Sequence, residues 1–356
     1  MFFDVYRLHV FGTLSYDDYA RFLLFVLGER GGQVPPSPFV YRIGSVVLAI
    51  PFYYLPPLEL RGGWATDPTA AVEYVRATQA ICAANVFFVT ATAIVIMIYL
   101  RGRLRTSLET AFCAALVFII LSRYLGLGSI DGIATLVVAA GVISAAERYF
   151  RGFCAAALIG AAVNEKILLV LFAMVSFRAL SQYEHRLAYM KLAAAAAAVL
   201  FGYVLTVWAF PFPGAENQRD VGTYIPSLVA MLKNSLTAQG LYQNLWPPII
   251  LAALWLVGMS APTKGRFTSA ADIAVPLVLL LVSLALNVNY NAGRITMYAL
   301  PLFVIGAAQS LALMSAQMAG SNVYNRRPEL SGRGPDTEPV AHPPLGGPAA
   351  RNEPSN

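Results

Sequence analysis

Ionisable residues interrupt apolar runs at two points in the chain, and both points could carry chemistry. Asp131 follows a Gly-Ser turn and opens an apolar run, whereas Glu165 and Lys166 separate two apolar runs further along. A charge placed in hydrocarbon costs several kcal/mol unless it faces a partner or water, so such residues indicate a functional site. The other segments must then bring the two points together at one face of a membrane.

Carboxylates that face lysine and arginine suit the transfer of a group from a phosphate-bearing donor. A carboxylate can take the proton of an acceptor hydroxyl. Lysine and arginine can hold the departing phosphate and offset its growing charge. The topology that the sequence indicates places six such residues on one external face: Asp17, Asp18, Asp131, Glu165, Lys166 and Arg294.

Each of these residues also has a purely structural interpretation. Asp131 could cap the helix that follows it, because Asp is favoured at that position. Asp17 and Asp18 could lie in a solvated loop or start a helix, and Glu165 with Lys166 could form an interfacial ion pair. Three arginines could be anchors whose long stems reach the membrane interface: Arg42, Arg76 and Arg294.

The composition indicates an integral membrane protein built of helices. Hydrophobic residues make up 58% of the 356 residues and charged residues 12%, with a mean hydropathy of +0.61, whereas soluble domains carry roughly 25% charged residues. The apolar runs are too long and unbroken for the alternating strands of a membrane barrel. The net charge of +6 comes from arginines beside apolar runs, which favours cytoplasmic loops over nucleic-acid binding.

The predicted fold is all-α and polytopic, with about 8–10 transmembrane helices of about 20 apolar residues each. Residues 1–78 are predicted to form an external or juxtamembrane segment with interfacial helices. Residues 79–315 would be the transmembrane domain, with an external loop at about 211–247, and residues 316–356 a disordered cytoplasmic tail. Three arginines that follow the run Gln79–Leu100 are the strongest cytoplasmic marker.

The topology before residue 79 stays open. The run Val40–Leu55 contains Pro51 and is either an interfacial helix or a span. Because the span starting at Gln79 would begin outside, an earlier span is expected. That span would lie either upstream of Met1 or at Val40–Leu55 itself.

The charged residues Glu165 and Lys166 also allow two topologies. The apolar runs Phe153–Val163 and Ile167–Phe177 could be the two short helices of a hairpin, with Glu165 and Lys166 at its external apex. Alternatively they form one span with both charges near mid-membrane. The positive-inside rule favours the hairpin, since arginines then flank it on the cytoplasmic side.

Short motifs follow one another along most of the chain. In order they are Tyr16-Asp17-Asp18-Tyr19, Pro38-Phe39-Val40-Tyr41-Arg42-Ile43, Arg76, Gly128-Ser129-Ile130-Asp131, Arg151-Gly152, Asn164-Glu165-Lys166, and Arg294 with Tyr298 and Pro301. In this order they resemble the polytopic glycosyltransferases of the GT-C fold, a superfamily that includes mannosyl- and arabinosyltransferases. These proteins use sugars linked to polyprenyl phosphate.

The resemblance implies transfer of a sugar from a polyprenyl-phosphate donor to a glycan, lipid or protein acceptor at the external face of the inner (plasma) membrane. Asp17 or Asp18 would be the catalytic base, and Asp131 would position donor or acceptor, or bind a divalent metal if one is used. Lys166 and Arg294 would hold the donor phosphate. Four residues would support the site: Glu165, Arg42, Arg76 and Tyr19.

Two other functions fit a chain of this kind. A lipid-linked sugar flippase or small-solute transporter would explain a broken helix, but transporters often pair such helices across internal repeats. Residues 164–166 have no evident counterpart in the other half, which favours the enzyme. A non-catalytic membrane assembly subunit is the third possibility.

Overall fold

The computed structural model describes residues 17–34, 39–56, 72–122, 131–210, 241–261, 269–285 and 292–325, with single positions between 229 and 238 and at 267. Within these ranges the chain is helical and contains no strand, so the all-α prediction is confirmed for the described part. Contacts divide the chain into one unit at Met1–Ser315 and another at Ala316–Asn356. The site described below lies in the first unit.

The described residues form helices in the following order. They are α1 (Asp17–Leu27), α2 (Ile43–Tyr53), α3 (Val72–Gly102), α4 (Leu108–Ser122), α5 (Asp131–Ala146), α6 (Phe150–Val163), α7 (Glu165–Ser181), α8 (Arg186–Ala209), α9 (Trp246–Met259), α10 (Ala274–Ala285), α11 (Ala292–Thr296) and α12 (Leu300–Asn325). Single 3-10 turns lie at Phe39–Arg42, Tyr183–His185, Ala270–Ile273 and Met297–Ala299, and a π-helical turn lies at Leu241–Leu245.

Among the described residues, three stretches of helix are long and apolar enough to cross a membrane, namely Val72–Gly102, Tyr183–Ala209 and Gly293–Met318. Six further apolar helices in the described part have 10–17 residues. At 1.5 Å per residue they are about 15–25 Å long, which is less than a hydrocarbon core of about 30 Å. Within the described ranges, fewer helices therefore reach full spanning length than the roughly 8–10 that the sequence predicts for the chain.

The core of the bundle is centred on α5 and α7, whose side chains are buried on most sides. Small residues dominate α5 and let its neighbours approach closely. By contrast, α8 lies at the outside of the bundle and exposes large apolar side chains, including Phe201 (64% exposed) and Trp208 (72% exposed). Burial against the bundle therefore does not explain the apolar character of α8.

Two opposite ends of the bundle carry the charged residues. At one end, Glu147 accepts hydrogen bonds from Tyr99 and Arg103, and Arg148 contacts His185. We call this the Arg103 end. We call the other the Asp131 end, because α5 begins there with Asp131; its last residue, Ala146, precedes Glu147 at the Arg103 end.

The segments α6 and α7 form a hairpin, as the charge pattern favours. Arg148, just before α6, and His185, just after α7, are 3.0 Å apart between Nη1 and Nδ1. Asn164 has extended backbone angles and breaks the helix between them. The alternative of a single span through residues 153–177 is therefore wrong, and the apex of the hairpin lies at the Asp131 end.

Two boundaries differ from the sequence-based prediction. Helix α3 begins at Val72 rather than near Gln79, because Glu73 and Arg76 are good helix formers and let the helix start before the apolar run. Helix α12 continues to Asn325, so the first residues of the predicted disordered tail are helical. The good helix formers Ala316 and Gln317 explain why the helix propagates past its apolar part.

The interfacial interpretation fits the segment Val40–Leu55 better than the spanning one. Its helix, α2, has 11 residues and ends before Pro56. A helix of that length is about 17 Å long, which is too short to cross a hydrocarbon core of about 30 Å. A span at residues 40–55 is therefore not supported.

Two glycines allow the close contacts that position the charged residues. A Cβ added to Gly132 would lie 2.6 Å from the backbone oxygen of Asn85 on α3. A Cβ added to Gly44 would lie 2.8 Å from the backbone oxygen of Ala162 on α6. Gly132 follows Asp131 and Gly44 lies two residues after Arg42, so both contacts fix the backbone beside a charged side chain.

Candidate functional site

Asp131 is held by two residues from the C-terminal part of the chain. Arg294 of α11 donates from Nε to Asp131 Oδ2 at 3.1 Å, and its Nη2 donates to the same oxygen. The Tyr298 hydroxyl donates to the other oxygen, Oδ1. The Asp131 side chain is 3% exposed, so its carboxylate takes part in a largely buried ion pair with Arg294 at the start of α5. The interpretation of Asp131 as a helix cap alone does not account for these bonds.

Glu165 forms a second ion pair, and its partner is Arg42 rather than the adjacent Lys166. Arg42 donates from Nε to Glu165 Oε2 at 2.9 Å, and from Nη2 to Oε1. The third guanidinium nitrogen, Nη1, donates to the hydroxyl of Tyr19 at 3.0 Å. With its side chain 7% exposed, Arg42 is a buried clamp between α1 and α7 rather than an anchor for lipid headgroups.

The hairpin apex is built around Asn164. Its side-chain oxygen accepts from the backbone N–H of Lys166 at 3.2 Å and caps α7. Its amide nitrogen donates to the Tyr298 hydroxyl at 2.9 Å. The Lys166 ammonium lies 5.9 Å from the centroid of the Tyr298 ring. The apex is thereby tied to the residues that hold Asp131.

The charges at the Asp131 end do not cancel in pairs. Asp131 pairs with Arg294 and Glu165 pairs with Arg42, whereas the Lys166 ammonium makes no hydrogen bond or ion pair with the described residues. Lys166 is partly buried and lies at the helix junction, outside the apolar segments. It is therefore the cation best placed to accept an anionic ligand.

Burial and the other cations weaken the hold of Lys166 on its proton. Burial and then the positive charge of Arg42 lower the pKa of Lys166 to about 8, although Glu165 and Asp131 oppose this shift. For Glu165, burial by itself raises the pKa, but Arg42 and Lys166 outweigh it and bring the pKa below its usual range. At neutral pH the cluster therefore holds an ionised Glu165 and a lysine whose pKa is lowered to about 8.

The predicted catalytic base lies at the start of α1. Asp17 and Asp18 are the first residues of that helix, so the helix-start interpretation describes their backbone. Their side chains lie outside the described residues. Tyr19 follows them directly, and its buried hydroxyl bonds to Arg42. The beginning of α1 is therefore attached to the cluster through Tyr19, and the catalytic role of Asp17 or Asp18 stays a prediction.

Arg76 is the one predicted site residue in the described part that does not join the cluster. Its Nε donates to the backbone oxygen of Tyr53 at 2.8 Å, and its guanidinium lies 5.0 Å from the centroid of that ring. Arg76 thus links α3 to the end of α2. The possible divalent metal has no evident ligand set in the described part of the chain. No group of three or more His, Cys, Asp or Glu side chains there is arranged to hold a metal ion.

Two polar features were not predicted from the sequence. Asn164 and Tyr298 connect the hairpin apex to Asp131. A signal existed for Tyr298, since it lies four residues after Arg294 and could share its helical face. The second feature is the fully buried ion pair between Arg178 and Asp272, with contacts of 2.9 and 2.7 Å, towards the Arg103 end.

Comparison with known proteins gives no relative from which a function could be carried over. No protein-family model, no curated protein and no solved structure matches the chain.

Proposed function

We propose that the chain is an integral-membrane glycosyltransferase that uses a sugar linked to polyprenyl phosphate. One observation carries this proposal. Two carboxylates and three cations from distant parts of the chain converge at the Asp131 end, and the Lys166 ammonium is left without a carboxylate of its own. A phosphodiester carries one negative charge and would complete the arrangement. Lys166 and Arg294, whose side chain is 22% exposed, would hold it.

The proposed reaction forms one glycosidic bond. An acceptor hydroxyl attacks the anomeric carbon of the donor sugar, and Asp17 or Asp18 takes the hydroxyl proton. The bond between the anomeric carbon and the phosphate oxygen breaks, and its electron pair leaves with polyprenyl phosphate. Lys166 and Arg294 stabilise the charge that grows on that phosphate. Asp131 keeps Arg294 in place and supplies no proton in this scheme.

Membrane insertion follows from the same arrangement. Arginines collect at the Arg103 end and its loops, which under the positive-inside rule faces the cytoplasm. The Asp131 end would then lie at the external face of the inner membrane. Helix α8 exposes Phe201 and Trp208 over a stretch long enough to span, so lipid would cover this face. The shorter apolar helices would complete a polytopic bundle around a GT-C-like site.

The proposal is tested by transfer of labelled sugar from a panel of polyprenyl-phosphate sugars in membranes that contain the protein. Wild type is compared with Asp17→Asn, Asp18→Asn, Asp131→Asn and Lys166→Ala, each at equal abundance. We expect loss of transfer in one of the two α1 variants, in Asp131→Asn and in Lys166→Ala. Transfer that none of the four substitutions changes would refute the assigned site.

A further inference from the structure

Four polar groups at the Asp131 end form a directed chain of hydrogen bonds. The backbone N–H of Lys166 donates to Asn164 Oδ1 at 3.2 Å, and Asn164 Nδ2 donates to the Tyr298 hydroxyl at 2.9 Å. The Tyr298 hydroxyl then donates to Asp131 Oδ1. Asn164, Tyr298 and Asp131 are all buried, so these bonds are shielded from competing water.

Each bond in this chain determines the direction of the next. Because Asn164 Oδ1 is occupied by the Lys166 amide, the Asn164 nitrogen must point towards Tyr298. Because the Tyr298 oxygen accepts from Asn164, its single proton is directed to Asp131 Oδ1. Asp131 Oδ2 accepts from Nε and Nη2 of Arg294.

We propose that Asn164 and Tyr298 are positioning residues that orient Arg294 relative to Lys166. This chain of hydrogen bonds, which we call the relay, joins the hairpin apex to α5 and α11. The positions of Lys166 and Arg294 therefore depend on each other. The Tyr298 ring also lies beneath the Lys166 ammonium. This inference rests on the proposed function for its ligand, which is an isoprenoid phosphate held between the two cations.

Conservative substitutions distinguish the effect of the relay's hydrogen bonds from the effect of side-chain packing. Tyr298→Phe keeps the ring and removes the hydroxyl. Asn164→Ser keeps a side-chain oxygen for the helix cap but removes the amide donor. The matched control is Thr135→Val, one helical turn after Asp131 on α5, which removes the buried hydrogen bonds of Thr135 to Thr92 on α3 (3.1 Å) and to the backbone oxygen of Gly132 (2.7 Å) but leaves the relay intact.

The readout is protection of Lys166 from an amine-acylating reagent, followed by mass spectrometry of the full chain in nanodiscs. The probe is farnesyl phosphate, a short isoprenoid monophosphate. We expect it to protect wild type and Thr135→Val equally. Tyr298→Phe and Asn164→Ser should each need about tenfold more probe, the loss expected for one weakened charged hydrogen bond. The double variant should match the single variants, because the relay is broken only once.

Two results would overturn the relay. One is protection of Tyr298→Phe at the wild-type probe concentration, and the other is a double variant whose loss equals the product of the two single losses. If farnesyl phosphate fails to protect wild type, the phosphate site of the proposed function fails instead. The relay is then judged from unfolding temperatures, where non-additive effects of Tyr298→Phe and Asn164→Ser support it and additive effects refute it.

Discussion

Replacing Lys166 tests whether its charge binds a ligand or stabilises the fold. Lys166 makes no hydrogen bond or ion pair with the described residues, so Lys166→Met removes neither kind of bond among them. Burial of its ammonium opposes folding, as its lowered pKa of about 8 indicates. We therefore expect Lys166→Met to leave the unfolding temperature unchanged or to raise it.

The same substitution should weaken use of the donor strongly. One charged hydrogen bond or ion pair to a phosphate is worth about 1.5–3 kcal/mol, which corresponds to roughly 10- to 150-fold in affinity. We expect the KM for a polyprenyl-phosphate sugar to rise by that factor, measured from initial rates of sugar transfer. Lys191→Met is the matched control, since Lys191 is exposed near the start of α8.

The pH dependence of donor use follows from the same pKa. Protonated Lys166 binds phosphate, so donor affinity in wild type should fall as pH rises through about 8. Lys166→Arg stays charged in that range and should remove this fall. A Lys166→Met variant that loses stability while keeping its KM, or a Lys191→Met variant with the same rise in KM, would show that Lys166 does not bind the donor phosphate.

Three further predictions concern the framework around the site. Asp272→Ala should lower the free energy of unfolding by about 3–5 kcal/mol, because it leaves Arg178 charged and buried. The double variant Arg178→Met with Asp272→Leu should recover most of that loss. Thermal unfolding in detergent measures both variants, and equal losses in the two would contradict the prediction. Gly132→Ala should lower the free energy of unfolding by about 1–3 kcal/mol and reduce sugar transfer, because the new Cβ would meet the backbone of Asn85. The control Gly202→Ala places its Cβ in open space on α8 and should be neutral or slightly stabilising. Glu165→Gln should lower the unfolding temperature more than Lys166→Met does, because it leaves Arg42 without its carboxylate, and a smaller fall would speak against the clamp.

The apolar pattern and the charge distribution were enough to predict a helical bundle with its charged groups at two ends. The hairpin at Asn164 follows from the same logic, since its flanking runs are too short to cross separately at full length and both outer flanks are basic. Which residues pair could not be read in this way. The side chains of neighbouring positions on a helix point in different directions. Glu165 therefore pairs with Arg42 and not with the adjacent Lys166.

Pairing across long sequence separations depends on how the helices pack. Asp131 and Arg294 lie 163 positions apart, and nothing local in either segment identifies the other. The same holds for Arg178 and Asp272, which lie 94 positions apart. Asn164 and Tyr298 were visible as motif residues, but their role becomes clear only once the hydrogen bonds define a direction.

We propose that the Asp131 end makes a glycosidic bond rather than moving a lipid-linked sugar. Purified protein in liposomes with a labelled polyprenyl-phosphate sugar in one leaflet and a hydroxyl acceptor distinguishes the two activities. We expect a labelled acceptor, release of polyprenyl phosphate, and loss of both in Asp131→Asn. Movement of the intact labelled lipid to the other leaflet, with no new glycosidic bond and dependent on the same residues, would contradict it.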